Sequence, residues 1–183
     1  MGRFPGVSAA VGGTVVLAAV STFGDWLWAN YLTDGAILPG VLHGLVFFVV
    51  LAAVLAAATG SRPAAKRLFW SLPPSGLLLA AAFYPVAMLT RNYLVSLMVT
   101  WFGMWAITAF LQRWARGNVE TRGRTVQRAV AAAIFSGLAF WAISGIWTQP
   151  SPDGPNYPWH FLCWGFAFLP GLLALLVGQP EAD

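Results

Sequence analysis

Apolar and polar positions along this chain fall into long blocks rather than alternating residue by residue. Six mostly apolar stretches fill nearly all of its 183 residues: Val7 to Leu32, Ile37 to Ala58, Leu72 to Thr90, Tyr93 to Leu111, Ala129 to Trp147 and Trp159 to Val177. A helix needs ~20 apolar residues to cross a ~30 Å hydrocarbon core, and every stretch is close to that length. The pattern predicts an all-α integral membrane protein, a single polytopic domain built as a bundle of six transmembrane helices. No room is left for a soluble domain.

Local signals mark the predicted helix ends. Pro39 opens the second helix in its first turn, where a missing N–H costs little, and Gly60 follows its end at a C-cap position. Ser71 with Pro73 and Pro74 is read as the start of the third helix, and Pro85 as a kink near its far end. The turn Thr90-Arg91-Asn92 is short enough to make helices three and four antiparallel neighbours. Gln149 to Pro158 is dense in proline and reads as a rigid cap between the last two helices. Small residues four apart, Gly40 with Gly44 and Ala133 with Gly137, mark places where helices can approach closely.

Composition strengthens the membrane reading, since 58% of residues are hydrophobic and only 9% charged, against ~25% charged in an average soluble domain. Mean hydropathy is +0.70. The net charge of +4 does not point to nucleic acid, because the basic residues are scattered beside the apolar stretches rather than gathered on one face. Nine of the ten, Arg3, Arg62, Lys66, Arg67, Arg113, Arg116, Arg122, Arg124 and Arg128, lie at the N-terminus or in the second and fourth connections. Arg91 alone lies on the other side. Short loops rich in Lys and Arg stay cytoplasmic, so both termini are expected in the cytoplasm. Arg3, the apolar run and Ala18, Ala19 and Ser21 outline a signal peptide, but Asp25-Trp26-Leu27-Trp28 carries the helix past any cleavage point, and the first stretch is read as a retained span. The preference for arginine over lysine hints at a GC-rich bacterial genome, and the expected location is a bacterial cytoplasmic membrane.

The sequence contains no nucleotide-binding loop, no strong metal-ligand spacing and no recognisable nucleophile constellation. Its intramembrane polar residues gather at the end away from the basic residues: Asp25, Asn30, His43, Arg91, Asn92, Asp153, Asn156 and His160. Counted at ~1.5 Å per residue, Asp25 and His43 lie at a matching depth of about 10 Å. An intramembrane carboxylate needs a partner, so these two are the candidate catalytic pair, or a structural hydrogen bond pinning the first hairpin. His160, Cys163 and Trp164 share a helix face. His160 and Cys163 are weak metal candidates, because a closed zinc site wants four ligands. His43 and His160 could together hold a b-type haem, although His160 is reckoned about 6 to 9 Å shallower than His43. Arg91 is expected to pair with Asp153 or to clamp an anionic headgroup.

Tryptophan is abundant, ten in all. Trp101 and Trp105 form a stripe too deep for an interfacial belt. The combination suggests a ligand cavity edged by His43, Arg91 and His160 and walled by Trp28, Trp101 and Trp164, fit for a lipid, quinone or pigment. In its tryptophan content the chain is similar to the tryptophan-rich translocator proteins, which bind porphyrins and sterols; that family has five spans and shares no residue motif with this chain, so no family is assigned. The expected function is a non-catalytic accessory or assembly subunit of a larger membrane complex, or a binder of a hydrophobic ligand in the outer leaflet. The alternatives are a small membrane enzyme using Asp25 and His43 on a lipid-like substrate and, last, a transporter. The expected partners are the lipid bilayer and a membrane complex, with no nucleic acid.

Overall fold

The computed structural model describes residues 5–31, 37–147 and 156–178, all helical or in short turns, with no strand among them. Six helices follow one another: α1 Pro5–Tyr31, α2 Ile37–Ala58, α3 Arg62–Thr90, α4 Tyr93–Ala115, α5 Arg122–Trp147 and α6 Tyr157–Leu176. All but α4 contain stretches long and apolar enough to cross a membrane. Each helix packs on its neighbours in sequence, and α1 also packs on α6. The helices therefore form a closed ring in which the first and last elements are partners.

Close approach is built from small residues at specific seams. A side chain at Gly44 would strike Ala80 of α3, and one at Gly171 would strike the Trp105 ring of α4. Gly137 faces Trp101 and Met98. Inside the ring Leu17, Leu51, Leu55, Leu72, Trp105, Phe168 and Leu172 are fully or almost fully buried, and outward faces carry Phe23, Trp70, Leu78, Phe135, Trp141 and Phe166.

The end of α2 falls where the sequence puts it, but α3 starts ten residues before the predicted span. Its N-cap is Ser61 in extended conformation, with a proline in the first turn. Pro73 and Pro74 lie inside this helix, where Ser75 Oγ donates to the Ser71 carbonyl at 2.9 Å. Within apolar surroundings a helix is the conformation that keeps the remaining backbone groups satisfied, which is why proline pairs can be carried through. With 29 residues, α3 spans about 44 Å at 1.5 Å per residue, and its basic first turns project past the apolar part.

The fourth and fifth helices extend in the same way, to Ala115 and from Arg122. Gln112, assigned to a loop by the hydrophobic pattern, is a buried residue of α4. With Thr14, Thr108, Thr125 and Ser136, also buried, it makes the basic half of the bundle more polar inside than its aliphatic sequence suggests.

Candidate functional site

The Asp25 carboxylate, near the C-terminal end of α1, accepts a hydrogen bond from Trp164 Nε1 at 2.8 Å and lies 3.1 Å from His160 Nδ1, on the same oxygen. With the carboxylate ionised, the imidazole nitrogen facing it must carry the proton. The Asp25 side chain keeps a third of its surface exposed and that of His160 18%. Among the described residues no further hydrogen bond reaches the second Asp25 oxygen or His160 Nε2.

Local structure sets this node. Asn156 caps α6 by accepting from the Trp159 N–H at 3.1 Å. That fixes the first turn, from which His160 and Trp164 project on one face toward α1. One turn above Asp25, Asn30 donates to the Trp26 carbonyl at 2.8 Å and to the Tyr157 hydroxyl at 3.4 Å. Tyr157 packs edge-on against His160. Asn30 with Tyr157 and Asp25 with His160 and Trp164 define one antiparallel register.

The sequence reading points to His43 as the partner of Asp25, whereas the hydrogen bonds run to α6. The register explains the difference. Depths counted from the ends of apolar stretches assume that every stretch stops in one plane, but α1 and α6 are offset so that Asp25 faces the turn from His160 to Trp164. His43 reaches α1 one residue away: its ring lies where a side chain at Gly24 would stand, within electrostatic reach of Asp25. The two histidines thus meet α1 at consecutive residues, from α2 and from α6.

Below the node lies a continuous aromatic stack. Trp164 stacks on Phe168 at 5.4 Å and on Trp101 at 6.3 Å; Trp101 also stacks on Phe140 at 4.8 Å and Phe168 at 5.4 Å. Trp105 meets Trp101 edge-on. These rings touch one another, so Trp101 and Trp164 each pack against neighbouring rings. The indole N–H groups of Trp101 and Trp105 have no hydrogen-bond partner among the described residues.

Arg91 is the exposed C-cap of α3 in left-handed conformation, φ 49°, and its expected partner Asp153 lies outside the described residues. The Trp28 side chain also lies outside them. Cys163 is buried, one turn from His160, and no group of three or more His, Cys, Asp or Glu side chains able to hold a metal ion occurs among the described residues.

A second polar cluster, at the basic end, escapes the sequence reading. Glu120 takes Arg128 Nη1 at 3.1 Å and Arg124 Nε at 3.4 Å on one oxygen, and the Thr125 hydroxyl at 3.1 Å on the other. Arg113 Nε donates to the Glu120 carbonyl at 2.8 Å. Arg124 and Arg128 also donate to the Gly178 and Val177 carbonyls at the end of α6. The signal was present, a lone acid among arginines in a short connection. The steric roles of Gly24 and Gly171 had no such signal.

Comparison with known proteins adds no assignment: no family model, curated protein or solved structure matches the chain.

Proposed function

We propose that this chain is a non-catalytic membrane protein of six spans, with both termini on the cytoplasmic side of a bacterial cytoplasmic membrane, that binds the polar head of a hydrophobic ligand at the Asp25 end. The observation that carries the reading is the partly exposed carboxylate at the head of a packed aromatic stack, with His160 and Trp164 orienting it. A ligand head that can donate both to the free Asp25 oxygen and to the unprotonated His160 Nε2 would find two acceptors already fixed in place, which lowers the cost of ordering them. Because Trp101 and Trp164 are stacked together, the ligand's apolar part is expected against the outward faces of α1 and α6, where Phe23, Leu162 and Phe166 are exposed. The nine-to-one partition of basic residues supports the orientation.

Titration of the purified protein with quinols, isoprenoid alcohols and lipid extracts, followed by tryptophan fluorescence, tests the binding claim. Saturable quenching that Asp25→Asn weakens is the expected result. Absence of saturable quenching by any of them, with no stoichiometric lipid in the native preparation, would overturn it. A C-terminal alkaline phosphatase fusion should be inactive and the matching green fluorescent fusion bright; the reverse would overturn the orientation.

The runner-up is a membrane enzyme, favoured by one observation: Asp25 engages His160 and stands beside His43, so an acid and two bases adjoin. Turnover of a lipid-like substrate, lost in both Asp25→Asn and His160→Gln, would favour it over the binder.

A further inference from the structure

The cations of the basic end fall into two groups. On α5, Arg124 and Arg128 are compensated: Glu120 holds both, and the carbonyls ending α6 take one further donor from each; Arg122, exposed at the start of α5 and off the α3 face, has no ion pair among the described residues. On α3, Arg67 donates to the Ala115 carbonyl at 3.3 Å and lies over the Trp114 ring. Arg62 and Lys66, one helical turn apart on the exposed face of α3, have no anionic partner among the described residues, because Glu120 is the only acid described at this end and is already engaged. With no anion beside them among the described residues, two like charges this close repel each other.

Along the same face the chemistry changes in order. Arg62 and Lys66 are followed by Phe69, 43% exposed, then Trp70, 69% exposed, then Leu77. At ~1.5 Å per residue the stripe runs about 22 Å from Arg62 to Leu77. Cation, cation, aromatic and aliphatic is the order that matches phosphate, glycerol backbone and acyl chain in a phospholipid leaflet, with tryptophan at the interfacial level. Basic side chains beside a spanning segment attract anionic lipid through just this placement.

We propose that the Arg62, Lys66, Phe69, Trp70 and Leu77 stripe of α3 binds a diacyl phospholipid with an anionic headgroup: the phosphodiester sits between Arg62 and Lys66, and one acyl chain runs over Trp70 toward Leu77. The inference rests on α3 lying in a bilayer and is independent of any ligand at Asp25.

Native mass spectrometry of the full chain, released from micelles holding equal amounts of phosphatidylglycerol and phosphatidylcholine with the same acyl chains, tests it. The expected result is preferential retention of phosphatidylglycerol, which the double substitution Arg62→Gln with Lys66→Gln reduces about tenfold or more, while Arg122→Gln on α5 leaves it unchanged. Trp70→Leu should lower retention of both lipids. If the double variant does not fold, the wild type still decides: added salt should erase the preference. Equal retention of the two lipids, an unchanged preference in the double variant, or displacement of phosphatidylglycerol by inorganic phosphate alone would each overturn the assignment.

Discussion

The two carboxylates among the described residues, Asp25 and Glu120, sit at opposite ends of the same bundle and are held in opposite ways. Asp25 is bound by an imidazole and an indole, both able to donate without carrying charge, and the assembly can keep a net negative charge. Glu120 is bound by two guanidiniums and a hydroxyl, and with Arg113 on its carbonyl the assembly is net positive. The difference follows depth. A carboxylate inside an apolar bundle is best served by fixed donors that need no hydration, whereas arginine can satisfy its surplus donors on helix-end carbonyls close to water. The connectivity differs too: Asp25 joins residues 135 apart in the chain, while the partners of Glu120 on its own side chain lie within eight residues.

The sharpest way to break this comparison is to remove the Asp25 acceptor. Asp25→Ala strands both the His160 and Trp164 donors and is expected to cost about 2 kcal/mol, read as a lowered midpoint in detergent or a steric-trapping assay; an unchanged midpoint would mean the node does not hold α1 to α6. A double-mutant cycle then apportions the partners. Asp25→Ala with Trp164→Phe should couple by about 1 kcal/mol, and the same cycle with His43→Gln by clearly less; equal coupling would restore His43 as a direct partner.

At the other end Glu120→Gln should cost about 1 kcal/mol at low ionic strength and less as salt is added, whereas the Asp25 variants should be nearly insensitive to salt. Matching salt responses would erase the distinction between a carboxylate held by neutral donors within an apolar stretch and one held by guanidiniums at the charged end. The smallest effect is expected at Arg91, whose left-handed backbone favours glycine: Arg91→Gly should leave thermal stability unchanged or raise it by about 0.5 kcal/mol, and a large loss would show that the guanidinium pairs with something beyond its capping role.

Helix number and most helix ends were legible because both depend on local patterns, the length of an apolar run and the presence of a cap. The same logic failed at α3, where Pro73 and Pro74 resemble a helix start but are passed through, and at Gln112, whose polarity resembles a loop. Asp25 was recognisable as a residue needing a partner because an intramembrane carboxylate is costly. Its partner was not, since depth along a helix says nothing of which neighbour that helix faces. That depends on the closure of the ring between α1 and α6, a contact between the two ends of the chain that no local pattern encodes. Trp101 and Trp105 pack against neighbouring rings, and Gly171, which admits the Trp105 ring, has meaning only once α4 and α6 are known to face each other.

That closure also sets a schedule for biogenesis. The helix bearing His160 and Trp164 leaves the ribosome after the other five, and at a synthesis rate of 5–20 residues per second Asp25 precedes them by roughly 7 to 27 seconds. Through that interval the first helix cannot use its native partners, and its carboxylate must stay near the insertion machinery, at the bilayer surface, or protonated. A chain arrested before α6 is thus expected to carry Asp25 without the His160 and Trp164 donors that the finished ring supplies.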